Sequence, residues 1–96
     1  MSTDDAKPRL LFFFTERDGH ARKVDAYLAQ VLQRRRNHDT FHIHRIDVTA
    51  HPELATRFRI DKTPTLCVVE GGRLAVRAHH PRGATEIKAL LAPWLR

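Results

Sequence analysis

The sequence predicts a small α/β domain with the element order β-α-β-α-β-β-α, built as a four-stranded mixed sheet with helices on both faces. Three observations predict it. Residues 9–15 (RLLFFFT) are a continuous apolar run, the pattern of a central strand covered on both sides. Residues 19–36 then carry Val24, Tyr27, Leu28, Val31 and Leu32 at helical spacing, one apolar stripe. Further on, two β-rich runs flank Gly71-Gly72, a pair suited to a tight hairpin turn.

The elements follow in order. Residues 1–8 (MSTDDAKP) are polar and expected to be a flexible lead-in, leaving residues 9–96 as one domain. After the first strand, Asp18 is a suitable N-cap for the long helix. A turn at residues 37–39 leads to a strand over 40–48 (TFHIHRIDV). Pro52 fits the first position of a short helix ending near Phe58. A loop over 61–64 precedes the hairpin of residues 65–70 and 73–79. Gly83 opens a last helix with Ile87, Leu90, Leu91, Trp94 and Leu95 at helical spacing. Strand, helix, strand implies a parallel crossover, to which the hairpin adds antiparallel strands.

Composition sets bounds on function. Ninety-six residues suit one small domain, and the 42% hydrophobic content is gathered in distinct runs that can build a core. The single cysteine, Cys67, excludes an internal disulfide and suits a reducing compartment. No apolar signal core or membrane-length stretch is visible, so a cytoplasmic location without membrane association is expected. Seventeen Lys+Arg against eleven Asp+Glu give a formal charge of +6. Such a charge could serve nucleic acid or an acidic protein, but the basic residues are dispersed. The one tight run, Arg34-Arg35-Arg36, is placed at a helix end, where cations complement the dipole. No RNA-reading aromatic motif or basic recognition helix accompanies it, so a solvated basic surface is the preferred reading.

Residues 12–22 (FFFTERDGHAR) and the later Thr63-Pro64-Thr65 carry a family resemblance. They resemble the thioredoxin-like family, in which a strand leads into W-C-G-P-C-K at a helix start and a second strand begins at a cis-proline in (I/T)-P-T. Laid on this chain without gaps, that motif falls on Arg17, Asp18, Gly19, His20, Ala21 and Arg22. Arg45-Ile46-Asp47-Val48, Phe58-Arg59-Ile60 and Gly71-Gly72 also resemble family segments. The resemblance covers residues 9–95. It implies a minimal thioredoxin-like fold without the extra N-terminal strand and helix of longer members, and a cis Thr63–Pro64 bond.

The departures from the family fall on its catalytic parts. Asp18 stands for the nucleophilic cysteine and Ala21 for the resolving one. Arg17 replaces the tryptophan before the motif, and His20 the proline inside it. Phe12 replaces a buried aspartate, whose usual lysine neighbour matches Arg45, and His80 replaces the glycine that admits a partner's backbone. Dithiol exchange needs an attacking thiolate and a second thiol to release the mixed disulfide. The resemblance therefore implies a redox-inactive member that is not an enzyme.

Other chemistry has few carriers. Cys67, in the apolar run TLCVV, reads as a core thiol, and reads as a monothiol nucleophile only as an alternative. Asp18 and His20 could form an acid–base pair, but a helix cap explains Asp18 without one. His42 and His44 share a strand face, yet no further ligands are nominated, and adjacent His79 and His80 point to opposite faces. No metal or cofactor is expected. The expected function is binding of a protein or peptide through the groove between the Asp18 helix start and the Thr63-Pro64 loop, with His80 on the rim. Two alternatives stand beside it: monothiol redox activity through Cys67, and basic-surface binding to nucleic acid or an acidic protein. The sequence leaves the oligomeric state open.

Overall fold

The computed structural model describes residues 7–96, and most of the expected lead-in lies outside them. The chain runs β1 (Arg9–Phe14), α1 (His20–Gln33), β2 (His42–Asp47), α2 (Pro52–Arg57), β3 (Thr65–Glu70), β4 (Arg73–His79) and α3 (Ala84–Leu91), with a 3-10 segment at Arg34–Asp39. Order begins before β1, because Pro8 is buried and its carbonyl accepts the His42 N–H at 2.9 Å. The sheet order is β2-β1-β3-β4, with β1 parallel to β2 and antiparallel to β3. β3 and β4 form an antiparallel hairpin across Gly71 and Gly72, whose φ values of 59° and 77° both lie where a side chain would be strained. This is the minimal thioredoxin fold.

The apolar run of β1 is buried on both faces because its side chains alternate between two unequal cores. Leu10 and Phe12, with Leu66 and Val68 of β3, meet Val24 and Leu28 of α1 and Ile87 and Leu91 of α3. Leu11 and Phe13, with Ile46 and Cys67, meet Leu54, Phe58 and Ile60 from α2 and the loop after it, together with Val48 and Val69. The six-residue α2 cannot roof the whole of its face.

Several boundaries differ from those the sequence predicts. α1 ends at Gln33, so Arg34-Arg35-Arg36 is not the last turn of an α-helix complementing its dipole. Arg35 and Arg36 adopt left-handed φ of 53° and 57°, which breaks the helix. The cause is buried Asn37: its Nδ2 donates to the Arg34 carbonyl at 2.7 Å, and its Oδ1 accepts from Arg96 N at 2.8 Å and Thr40 Oγ1 at 3.2 Å. A side chain that satisfies groups this distant pulls the chain out of register with the helix. β2 therefore begins at His42 rather than 40. α3 stops at Leu91, and Trp94 lies beyond it, packed on Phe41 with its indole N–H donating to Glu70 Oε2 at 2.9 Å. No helix among the described residues is long and apolar enough to cross a membrane.

Candidate functional site

The strand end of β1 and the start of α1 are joined by one tight turn. Asp18 N–H donates to Thr15 O at 3.1 Å, and Asp18 O accepts from Ala21 N at the same distance. The N-cap position belongs to Gly19, one residue later than the sequence suggests, and no side chain caps it there. Asp18 still serves the helix start, because its Oδ1 accepts the His20 N–H at 3.0 Å. Ala21 is buried against the larger core, and Arg17 is exposed.

Opposite this turn lies the loop before β3. The Thr63–Pro64 peptide bond is cis. Thr65 and His79 hold the loop in place. The fully buried Thr65 hydroxyl donates to Lys62 O at 2.6 Å, so the Nδ1 of His79, 2.8 Å away, must be the donor to Thr65 Oγ1. Pro64 O in turn accepts the His80 N–H at 2.6 Å.

The two sides meet through histidines. The rings of His20 and His80 stack at a centroid distance of 4.0 Å and an interplanar angle of 5°. His20 Nε2 lies 2.8 Å from Pro81 O; a carbonyl only accepts, so Nε2 carries the hydrogen. His80 sits at φ 50°, a left-handed conformation that glycine adopts far more readily. That matches its position, where the family resemblance puts a glycine.

Asp18, His20, Pro64 and His80 are thus linked by hydrogen bonds and the ring stack, with Gly19 and Ala21 next to them in the chain and Thr63 half-buried before Pro64. Cys67 is elsewhere. It is fully buried in the smaller core beside Leu11, Phe13 and Ile46, and burial pushes its thiol up to about 11 despite the nearby Arg77 guanidinium. Phe12 and Arg45 are register partners across β1 and β2, but Arg45 Nε now bonds Asp25 Oδ1 of α1 at 2.9 Å. His42 and His44 share the face that α2 only partly covers, and among the described residues no group of three or more His, Cys, Asp or Glu could hold a metal ion. Sequence reasoning missed Thr65, His79 and the Pro81 carbonyl. Only adjacency to Pro64 and His80 could have nominated them.

Comparison with known proteins agrees with this geometry. The family model for thioredoxin matches residues 2–93. Among solved structures, thioredoxin from Fasciola hepatica superposes with a TM-score of 0.80 at 14% identity, covering 95% of this chain and 84% of that one. The oxidised thioredoxin of Plasmodium falciparum gives 0.80 at 15% identity over 97% and 86%. A mutant thioredoxin from Halobacterium salinarum NRC-1 gives 0.79 at 17% identity over 98% and 80%. A search of curated proteins finds no match. Identities this low speak for the fold alone, and the match of the family model over nearly the whole length does the rest: the chain belongs to the thioredoxin family.

Proposed function

We propose that this domain is a non-catalytic thioredoxin-fold binding module that takes an extended protein segment along the cleft between the start of α1 and the Thr63-Pro64 loop. The observation that carries the reading is the backbone of Thr63. Its N–H and C=O make no hydrogen bond among the described residues, although it borders the cis-proline and stands beside the end of a strand. Free main-chain groups of an exposed loop segment can pair with the backbone of an extended peptide. The cleft also lies at the C-terminal end of β1, where α/β folds present their ligand sites.

The non-catalytic reading rests on chemistry. The chain has one cysteine, and it is buried in the smaller core and uncharged at neutral pH. Asp18 at the family's nucleophile position cannot form a mixed disulfide. The lone cysteine also suits a reducing, cytoplasmic setting.

The test is selection of phage-displayed peptides on the immobilised full chain, followed by measured affinities for variants. Arg17→Ala/His20→Ala should weaken the selected peptides at a stability cost of about 1 kcal/mol, the size of the lost His20 hydrogen bond to Pro81 O. His80→Gly should strengthen them by relieving the left-handed φ and unstacking the ring from the cleft. On binding, the Thr63 amide should become protected from hydrogen exchange. Peptides that bind the double variant with parental affinity and leave Thr63 exchanging would remove the cleft from the account.

A further inference from the structure

The face of the sheet that α2 leaves open is a second surface with its own chemistry. A groove of about 1080 Å³ runs there, floored by Leu11, Val69 and Leu74 and including no residue of the cleft described above. Leu74, on β4, is 43% exposed, which marks the floor as uncovered. Arg9, Arg57, Arg59 and Arg77 line the groove, and no Asp or Glu does. Among the described residues none of these four arginines has a carboxylate partner, whereas Arg45 beside them is paired with Asp25. Arg9 Nη1 lies 3.4 Å from His44 Nε2 and Arg77 Nη1 donates to Phe58 O at 2.8 Å, so two guanidiniums are anchored along the groove by neutral acceptors. His44 is held below the usual imidazole range by burial and then by the charges of Arg9 and His42, in keeping with a positive field.

Arg59 adds an independent observation. It ends α2 at φ 54°, where its N–H donates to Thr56 O at 3.1 Å and Ile60 N–H reaches back to Ala55 O at 2.8 Å. This is the helix-stop position usually taken by glycine or asparagine. An arginine occupies it against its backbone preference, and its side chain lines the groove.

We propose that this groove binds an acidic segment of a partner protein, one that alternates carboxylates with aliphatic side chains. The cations match the carboxylates, and the aliphatic floor matches the apolar side chains between them. The groove crosses from β2 to β4, about 14 Å at the usual spacing between strands, enough for about four extended residues. Nucleic acid fits less well. Single strands are held by stacking on exposed aromatic rings, and the one Phe, Tyr or Trp lining the groove, Phe58, is turned inward onto Phe13 at 5.6 Å.

Fluorescence anisotropy of the full chain with a labelled Glu–Leu repeat peptide tests this. A Gln–Leu repeat and an oligo-dT strand of matching length serve as the other probes. The Glu–Leu peptide should bind, with affinity falling as salt rises, and the Gln–Leu peptide should bind at least tenfold more weakly. Arg57→Glu/Arg59→Glu should lower Glu–Leu affinity more than tenfold, and Arg17→Ala/His20→Ala should leave it unchanged. Arg59→Gly separates folding from binding: it should hold or raise Tm while weakening the peptide. Parental affinity in the Arg57→Glu/Arg59→Glu variant would overturn the proposal, as would oligo-dT binding as tightly as the Glu–Leu peptide. Loss of the peptide in the Arg17→Ala/His20→Ala variant would also overturn it, by moving the site to the cleft. Binding that emerges only after Asp4→Asn/Asp5→Asn would assign the groove to the chain's own acidic lead-in instead of a partner.

Discussion

The two faces of the sheet are built from the same strands and finished differently. On one, Leu10, Phe12, Leu66 and Val68 are sealed beneath α1 and α3 in a closed core. On the other, Leu11, Phe13 and Cys67 are covered at one end by α2, and the floor then runs out to exposed Leu74. One face therefore holds the fold together. The other carries a smaller core and retains a charged, accessible surface. At the sheet's end, Asp18, His20, His80 and Pro64 are held together by hydrogen bonds and ring stacking more than by apolar burial.

The largest effect expected from that contrast is in core truncation. Leu66→Ala, fully buried on the closed face, should cost about 2–5 kcal/mol in urea unfolding, since the site cannot collapse around the void. Leu54→Ala, half-buried beneath the open groove, should cost clearly less. Equal losses would mean that the two faces are packed alike.

The next effect is a pH dependence set by Cys67. Its folded pKa is raised from 9.0 to about 11 by burial, so the folded state binds the proton more tightly than the unfolded chain. That stability is fully present below the unfolded value and is lost as pH rises from about 9 through about 11. Relative to the parent, Cys67→Ala should show a flatter decline over that window. A parallel decline in both proteins would place the thiol nearer to water than the smaller core allows.

A smaller effect belongs to the cleft. Asp18→Ala removes the carboxylate that accepts the His20 N–H and should cost about 0.5–2 kcal/mol, read as a lower urea midpoint. Unchanged stability at pH 7 would mean that water satisfies that N–H equally well.

The smallest concerns His44 on the open face. Its pKa is lowered by burial and by Arg9, so the unfolded chain binds more protons near the histidine range. Stability should therefore fall as pH drops from about 6.5 through the folded value, and His44→Gln should remove that part of the acid sensitivity. A parental acid profile in His44→Gln would separate His44 from the basic groove.

Much of this molecule was legible in the sequence, for local reasons. β3 and β4 keep their expected bounds because Gly71 and Gly72 fix the turn and the flanking runs alternate around it. The motif spacing brought Asp18, His20, Pro64 and His80 to one place because backbone geometry carries them there whatever their side chains. What stayed hidden depends on groups far apart in the chain. The end of α1 is decided by Asn37 meeting Arg96, fifty-nine residues away, which no window around Arg34-Arg35-Arg36 contains. The stack of His20 on His80 joins two loops in the same manner. The basic groove escaped notice because Arg9, the Arg57/Arg59 pair and Arg77 come from three separate segments and converge only when the sheet forms. Dispersed in sequence, they read as a solvated surface.

The central proposal is that this thioredoxin-family chain binds a partner beside Asp18 and Pro64 and carries out no disulfide exchange. Reduction of insulin disulfides by the full chain, followed by turbidity with dithiothreitol as electron donor, tests it most directly. The account predicts a rate equal to the control without protein, since Asp18 and Ala21 offer no thiol and Cys67 is buried. A rate above that control, abolished by Cys67→Ala, would contradict it and make the buried thiol a working nucleophile.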